Sequence, residues 1–180
     1  RGVWYTPAPI VNFIVRAVDD ILKTEFDLPN GLADNSKIKI KVNVQGQKKQ
    51  VQQEVHKVQI LDPACGTGTF LAETVKLIHQ KFEGQQGIWR NYVETHLLPR
   101  LNGFEILMAS YAMAHLKLDL LFTETGYKPT KQQRLNIYLT NSLEEHHPDT
   151  GTLFASWLST EANEANRVKR DTPVMCVIGN

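Results

Sequence analysis

Cysteine is scarce in this sequence, and its scarcity excludes small disulfide-stapled proteins and zinc modules. Only two cysteines, Cys65 and Cys176, occur in 180 residues. They lie far apart in the chain and match no spacing typical of a disulfide framework or a metal site. A chain without disulfides is typical of a reducing compartment. The sequence therefore predicts a cytoplasmic protein with no bound metal.

Long apolar runs and an excess charge of one sign are also missing. No segment has the roughly 18 consecutive apolar residues that span a bilayer, and Arg1 opens the chain without a signal peptide, so we expect no membrane partner. Because Arg1-Gly2 begins the chain without a methionine, we expect a piece of a longer polypeptide. The chain has 20 Lys and Arg against 19 Asp and Glu. This balance argues neither for nor against a nucleic-acid partner.

Helical and strand patterns alternate along the chain, which predicts an α/β fold in one domain over residues 1–180. The first helix is predicted behind Thr6-Pro7, within an N-terminal segment of residues 1–27. Its apolar residues recur at helical spacing and are Ile10, Phe13, Ile14, Ala17, Val18, Ile21 and Leu22. An α/β core is predicted over residues 58–180.

Four strands alternate with helices in this predicted core. The strands are predicted to end at Leu61, Glu105, Thr140 and Ile178, and the last of them covers residues 174–178. Helices are predicted up to Phe82, over residues 106–122, and around Leu153, Phe154, Trp157 and Leu158. Tyr111, Met113 and Trp157 stand at helical spacing, so we expect them in the core.

A β-hairpin is predicted over residues 37–58, inserted before the core. Apolar and polar residues alternate on both sides of QGQKK, which places a glycine at the tip. The hairpin carries the one local charge bias of the chain, six lysines against Glu54. These lysines either contact a DNA backbone or keep an exposed strand edge from pairing with other chains.

The most informative stretch is QILDPACGTGTFLAET, residues 59–74. An apolar strand runs into Asp62, then a glycine loop, then a helix. Gly66 and Gly68 allow the backbone to approach a ligand, and the start of the helix offers unpaired N–H groups. Leu71 stands where a dinucleotide-binding loop needs its third glycine, and the lysine of a P-loop is absent.

Glu105 is the partner that we expect for this loop. It ends the next strand, at the edge of the sheet where α/β folds bind ligands, and its carboxylate can accept hydrogen bonds from both ribose hydroxyls. The alternative is a solvated glutamate that stabilises the start of a helix. Ile106 and Leu107 follow it and are placed to line an adenine pocket.

Three stretches resemble segments of one enzyme family. DPACGTGTF resembles the cofactor loop of N6-adenine DNA methyltransferases, which use S-adenosylmethionine (SAM). GVWYTPAPIVNFIV is similar to the family segment that closes over the methionine end of SAM. VIGN resembles the start of the catalytic Asn-Pro-Pro-Tyr. The apolar helix after GFEI and the phrase ANRVKRDTPV are most similar to large single-chain restriction–modification enzymes.

The resemblance implies a Rossmann-like class I methyltransferase fold with an incomplete sheet. It assigns Thr6 and Pro7 to the methionine carboxylate, and the loop residues Asp62, Ala64, Gly66 and Gly68 to the cofactor, with Asp62 near the methionine amine. Glu105 would hold the ribose. Asn141 would bind the amine of the cofactor's adenine, or else serve only as a turn residue. Ile106 and Leu143 would sandwich the adenine ring.

The same resemblance makes Asn180 the catalytic residue. In the family, an Asn side-chain oxygen and a proline carbonyl accept the N–H groups of the flipped adenine and make the lone pair of its amine available. Pro-Pro-Tyr does not follow in this chain. We therefore expect the chain alone to be inactive and DNA to be bound through the full-length protein.

The substrate stays open at this point. Asn-Pro-Pro-Tyr also occurs in enzymes that methylate RNA or protein glutamine side chains, and a SAM- or nucleotide-binding module without catalysis is a further alternative. Two other candidates are weak. Cys65 is interpreted as a small packing residue rather than a nucleophile, and His146 and His147 as solvated loop residues without a third metal ligand.

The family's sheet order implies how this chain associates. The strand before the glycine loop would be central, the strands ending at Glu105 and Thr140 would lie on one side of it, and residues 174–178 would lie on the other. This last strand has no charge and no proline, so its free edge is expected to pair with other chains. The sequence therefore predicts self-association.

Overall fold

The computed structural model describes residues 5–43, 50–130, 133–143, 153–171 and 176–180. Helices and strands follow one another in the order α1 Ala8–Thr24, β1 Lys37–Asn43, β2 Gln50–His56, β3 Ile60–Asp62, α2 Thr69–Gln80, α3 Gln86–Tyr92, β4 Leu101–Glu105, α4 Met108–Glu124, β5 Asn136–Leu139, α5 Leu153–Asp171 and β6 Cys176–Val177. A short 3₁₀ turn covers Gly31–Ala33, and a π-helical and a 3₁₀ turn join α3 to β4 over Val93–Leu97 and Leu98–Arg100.

The core of the fold is a parallel sheet in the order β5-β4-β3-β6. Ile60 of β3 pairs with Leu101 of β4 on one side and with Cys176 of β6 on the other. Strand β3, which precedes the glycine loop, is therefore central, as predicted. Because all four strands run in one direction, their carboxyl ends meet at one edge of the sheet.

Both faces of this sheet are covered by helices, as is typical of parallel sheets. On one face, Phe104 and Tyr138 of the strands pack with Ala165 and Val168 of α5. The other face belongs to the larger core, which includes residues of α1, α2, α3 and α4. The α/β prediction is confirmed at this level. No helix of the described residues is long and apolar enough to cross a membrane.

The predicted hairpin is also confirmed. β1 and β2 pair antiparallel, with Lys37 opposite His56 and Asn43 opposite Gln50. The predicted tip falls within residues 44–49, which lie outside the described residues. The hairpin is a two-stranded sheet of its own, separate from the parallel sheet.

Helix α1 begins after Thr6-Pro7 as predicted, but a different face of it is buried. The buried positions are Val11, Val15, Asp19 and Leu22, whereas Phe13 is 72% exposed. Ile10 and Ile21 are also exposed. The prediction went wrong because apolar residues lie on both faces of the helix. Only the packing against α2 and the 3₁₀ turn decides which face is covered.

Two other expectations require correction. Helix α4 begins at Met108 rather than at residue 106, because Ile106 and Leu107 form the turn that leads out of β4. Met113 is 51% exposed and Trp157 is 36% exposed, so neither is a core residue. The apolar residues of α4 are distributed around the whole helix, so its sequence does not indicate which face is buried.

Candidate functional site

The carboxyl edge of the sheet brings together residues from separate parts of the sequence. Asp62 and Glu105 end β3 and β4, Asn141 follows β5, and Asn180 follows β6. Backbone hydrogen bonds tie these strand ends together. Cys65 N–H donates to the Phe104 carbonyl and Thr140 N–H donates to the Glu105 carbonyl, both at 2.8 Å. The edge is therefore a rigid platform.

A cavity of about 220 Å³ opens on this platform. Of the predicted site residues it is lined by Thr6, Ala64, Gly66, Glu105 and Asn180. The structure thus gathers the N-terminal segment, the glycine loop, the end of β4 and the end of the chain around one space. Pro7, Asp62, Gly68, Ile106, Asn141 and Leu143 do not line it.

The two glycines of the loop have different roles. Gly66 has a φ of 54°, and a Cβ added there would meet nothing within 4 Å, so the space above this residue is open. Gly68 has a φ of 76° and precedes the first residue of α2, and its Cβ would lie 3.3 Å from Ala114 Cβ of α4. Gly66 therefore faces the cavity, whereas Gly68 allows α2 to pack against α4.

Asp62 lies beneath the loop and is only 1% exposed. Its Oδ1 accepts the N–H of Ala64 at 3.2 Å, whereas its Oδ2 is buried with no hydrogen-bond partner. Burial raises the pKa of this carboxyl to about 7, the Ala64 N–H lowers it, and the charge of Glu105 raises it further. An unpartnered buried carboxyl oxygen is costly unless a donor or cation reaches it.

Gly179 connects Asp62 to the end of the chain. A Cβ at Gly179 would lie 2.7 Å from Asp62 Oδ1, a distance that real Cβ atoms essentially never show. Only glycine fits here without a shift, because the backbone before Asn180 passes directly over the carboxylate. This close approach brings Asn180 to the cavity.

Glu105 is buried, with 7% of its surface exposed. Its Oε1 accepts the N–H groups of Ile106 at 2.9 Å and Leu107 at 2.7 Å, which caps the turn before α4. The interpretation of Glu105 as a solvated side chain is therefore wrong, and its hydrogen bonds go to the turn before α4 rather than to the first turn of the helix. Its Oε2 is the oxygen that remains for a ligand in the cavity.

Asn141, Ile106 and Leu143 lie beyond the cavity, on the open part of the platform. Asn141 Oδ1 accepts the N–H of Leu143 at 3.0 Å, the turn bond that the sequence raised as an alternative. Lys169 Nζ of α5 donates to the Asn141 carbonyl at 2.8 Å. Ile106 is 64% exposed and Leu143 is 92% exposed. Both side chains are thus open to a ligand that extends out of the cavity.

Sequence reasoning missed several residues of this site. Tyr5, Thr67, Thr69 and Ser110 also line the cavity, whereas Leu107, which lines it too, is expected from the sequence to lie beside a ligand. The Ser142 hydroxyl donates to the Pro63 carbonyl and so connects the loop after β5 to the glycine loop. Ser110 lies in the first turn of α4, five residues after Glu105, and this proximity was the only signal in the sequence that could have indicated it.

The cavity is smaller than a site that encloses a whole SAM molecule. Ligand pockets have volumes of about 300–1,000 Å³, so a cavity of about 220 Å³ encloses only part of such a ligand. The open space above Gly66 matches a close backbone approach of a ligand, whereas the unpartnered Oδ2 of Asp62 lies buried outside the cavity lining. The rest of the ligand would lie on the platform beside Ile106, Asn141 and Leu143.

A larger cavity, of about 590 Å³, lies at the other end of the sheet. It is lined by residues of the hairpin, by α5, and by residues at or near the start of the strands, including Gln59, Asn102 and Asn136. It contains no glycine loop, and ligands of α/β folds bind at the carboxyl ends of the strands. We therefore assign function to the smaller cavity.

Cys65 lines the cavity, but its thiol is not reactive. Burial raises the pKa of the Cys65 thiol far above its ordinary range, as expected for a packing residue. Its Sγ would lie 3.2 Å from a Cβ at Gly103, so the side chain fills space between β4 and the loop. His146 and His147 lie outside the described residues. Among the residues that the structure describes, no cluster of His, Cys, Asp and Glu could hold a metal.

Three solved structures are similar to this chain over its whole length. It matches the ATP-dependent Type ISP restriction–modification enzyme LlaBIII bound to DNA with a TM-score of 0.72 and 26% identity, over 100% of this chain and 10% of that one. It matches a DrdV–DNA complex with a TM-score of 0.61 and 28% identity, over 99% of this chain and 14% of that one.

The third structure is a nuclease-deletion mutant of the Type ISP restriction–modification enzyme LlaGI in complex with a DNA substrate mimic. The TM-score is 0.67 with 24% identity, over 99% of this chain and 12% of that one. At this identity the likeness shows the fold alone. No protein-family model and no curated protein matches the sequence. The chain thus spans between 10% and 14% of the solved chains that it resembles.

Proposed function

We propose that this chain is the SAM-binding part of a DNA adenine-N6 methyltransferase of a restriction–modification system. One observation carries the proposal: the glycine loop, Glu105 and Asn180 line one cavity at the carboxyl edge of a parallel sheet. The resemblance of their sequence motifs to this family gives each of them a role, and the fold brings them to a common point.

Buried and backbone groups would hold the cofactor. Asp62, when ionised, would attract the ammonium group of the methionine moiety from its buried position beside the cavity. Glu105 Oε2 accepts hydrogen bonds from the ribose hydroxyls, and Thr6 binds the methionine carboxylate. Ile106 and Leu143 contact the adenine ring, and Asn141 binds its amine.

Asn180 would prepare the substrate adenine. SAM, when bound, supplies an electrophilic methyl group. The carboxamide oxygen of Asn180 accepts an N–H from the exocyclic amine of a flipped adenine, which reduces delocalisation of the nitrogen lone pair into the ring. Correct alignment of the amine is the main requirement, because no covalent intermediate with the protein is needed.

The solved structures support the restriction–modification context and the DNA substrate. LlaBIII is a restriction–modification enzyme, and the LlaBIII and DrdV structures are complexes with DNA. Because this chain corresponds to a small part of each, the activity belongs to the full-length protein. The alternatives are a SAM- or nucleotide-binding module without catalysis, and a methyltransferase that acts on RNA or protein glutamine.

Cofactor binding is tested by Glu105→Gln. Glutamine keeps an oxygen for the N–H groups of Ile106 and Leu107 but places an amide nitrogen where Oε2 was. The loss of a charged acceptor costs about 1.5–3 kcal/mol, so SAM affinity measured by calorimetry should fall about tenfold or more. Glu124→Gln, at the far end of α4, should leave the affinity unchanged. Equal affinity of the Glu105 variant and the wild type would contradict the role of Glu105.

Substrate class is tested by transfer of a tritiated methyl group in the full-length protein. We expect incorporation into unmethylated duplex DNA, with N6-methyladenine as the product on nucleoside analysis, and its loss in Asn180→Ala. Labelled RNA or labelled protein instead of DNA would favour the corresponding alternative. SAM binding without transfer to any of the three would favour a non-catalytic module.

A further inference from the structure

The hairpin of β1 and β2 has two chemically different faces. Side chains alternate along a strand, so Lys37, Lys39 and Lys41 share one face, and Ile38 and Ile40 share the other. The pairing places Glu54 opposite Lys39 and Gln52 opposite Lys41, on the lysine face. We call the side chains of Lys37, Lys39 and Lys41 the lysine face of the hairpin.

Little within the described chain neutralises this face. Lys37 Nζ lies 3.6 Å from Glu54 Oε2, and both side chains are largely exposed. Such an exposed pair contributes little. Lys39 and Lys41 are exposed, and no ion pair involves them in the part of the chain that the structure describes. The lysine face therefore presents at least two unpaired cations to the surroundings.

The spacing of these cations suits a linear polyanion. Alternate residues of a strand are about 6.6 Å apart, so the row from Lys37 to Lys41 is about 13 Å long. One strand of duplex DNA carries a phosphate for about every 3.4 Å of helix axis, so the row runs past about four phosphates. Lysines that only keep a strand edge from pairing with other chains do not need to lie in a row on one face of the strand.

We propose that the lysine face binds the phosphate backbone of duplex DNA outside the site that holds the target adenine, an inference that rests on the proposed function. The hairpin joins the sheet at the amino end of β3, since β2 ends at His56 and β3 begins at Ile60, whereas the cofactor cavity lies at the carboxyl end. The lysine face consequently contributes to DNA affinity and not to methyl transfer. Phosphates carry no sequence information, so the contribution is equal for all sequences.

The double substitution Lys39→Gln/Lys41→Gln in the full-length protein tests this inference. The matched control, Lys76→Gln/Lys128→Gln, removes the same charge from exposed lysines of α2 and of the loop after α4. Duplex affinity is measured by fluorescence anisotropy over a range of salt concentrations. Each lost phosphate contact lowers the slope of log K against log salt by about 0.9. We expect a decrease of up to about 1.8 and affinity roughly tenfold or more lower at 0.1 M salt, with target and non-target duplexes affected equally.

The outcomes separate this inference from the proposed function. A hairpin variant with the slope and affinity of the wild type, or with the same loss as the control, overturns the inference even where DNA is methylated normally. A reduced slope in a protein that transfers no methyl group supports the lysine face and overturns the methyltransferase. A variant that weakens RNA binding more than duplex binding overturns duplex DNA as the partner. Circular dichroism and an unchanged single-turnover rate at saturating DNA confirm that fold and chemistry are intact.

Discussion

The two buried carboxylates at the carboxyl edge of the sheet, those of Glu105 and Asp62, receive different numbers of hydrogen bonds from the backbone. Glu105 receives two backbone N–H groups on Oε1, whereas Asp62 receives one on Oδ1 and leaves Oδ2 unpartnered. Burial without compensating donors favours the neutral acid, which is why the pKa of Asp62 rises to about 7. Asp62 therefore destabilises the folded chain when it is ionised.

This arrangement predicts how stability depends on pH. The pKa of Asp62 is about 7 in the folded chain against an ordinary value of 3.8, so its stabilising protonated form is lost as pH rises through about 7. The free energy of unfolding should fall by a few kcal/mol between about pH 4 and pH 7, since one pKa unit corresponds to about 1.4 kcal/mol. The free energy of unfolding of Asp62→Asn should fall less over this pH range. In urea unfolding at pH 8 this variant should be more stable than the wild type. If the free energy of unfolding varied with pH in the same way in both proteins, the raised pKa of Asp62 would be contradicted.

Among the elements, α1 is held to the body of the domain by a buried polar side chain, that of Asp19, in addition to its apolar packing. Asp19 accepts the N–H of Leu32 in the 3₁₀ turn at 2.7 Å and a hydrogen bond from Lys81 just after α2. Lys23 of α1 lies 2.6 Å from its other oxygen. Burial alone would raise the pKa of Asp19, but the hydrogen bonds from Lys23, Lys81 and Leu32 hold it below its ordinary value. The carboxylate thus links α1 to the 3₁₀ turn and to the residue that follows α2.

Asp19→Asn should destabilise the chain, because it leaves two lysines beside a neutral amide. Hydrogen bonds to charged groups contribute about 1.5–3 kcal/mol, so we expect a loss of about 2 kcal/mol in urea unfolding at pH 7. Because the pKa is lowered, this contribution is lost as pH falls below about 4. Asp20→Asn is the matched control, since its side chain is 74% exposed and pairs only with Lys23 at 3.6 Å. Equal losses in both variants would exclude a special role of Asp19.

At the scale of the whole molecule, β6 forms one of the two outer edges of the parallel sheet, and β5 forms the other. In the described part of the chain, no strand pairs with the outer side of β6, and Val177 is 63% exposed. Residues 174 and 175 of the predicted strand lie outside the described residues. An uncovered edge with an apolar side chain is a site of pairing between chains.

We therefore expect this 180-residue chain to self-associate at high micromolar concentration. Val177→Lys places a charge on the exposed side of β6 and should shift the mass measured by light scattering toward the monomer. Lys is tolerated there because the side chain of Val177 is largely outside the core, unlike that of the neighbouring Cys176. Leu143→Lys, which charges an exposed apolar residue outside the strands, serves as the control. A monomeric wild-type chain would contradict the prediction.

The sequence by itself determined most of the elements, their order and the edge at which the candidate site lies, but α3 was not predicted. Turn chemistry and apolar periodicity are local properties, so the strand before the glycine loop, the hairpin and the ends of the strands at Asp62 and Glu105 follow from short stretches. The placement of β3 in the centre of the sheet followed from the family resemblance. The identities of the cofactor and of the substrate stay predictions, since binding is a property of the chain together with its ligand.

Only the tertiary structure decided which faces are buried and what surrounds each carboxylate. Phe13 and Met113 belong to helices with apolar residues on more than one face, and the neighbours that choose between the faces come from distant parts of the sequence. The raised pKa of Asp62, the approach of Gly179 and the presence of Ser110 at the cavity depend likewise on contacts between separate elements. Burial and distance are properties of packing, and no local pattern encodes them.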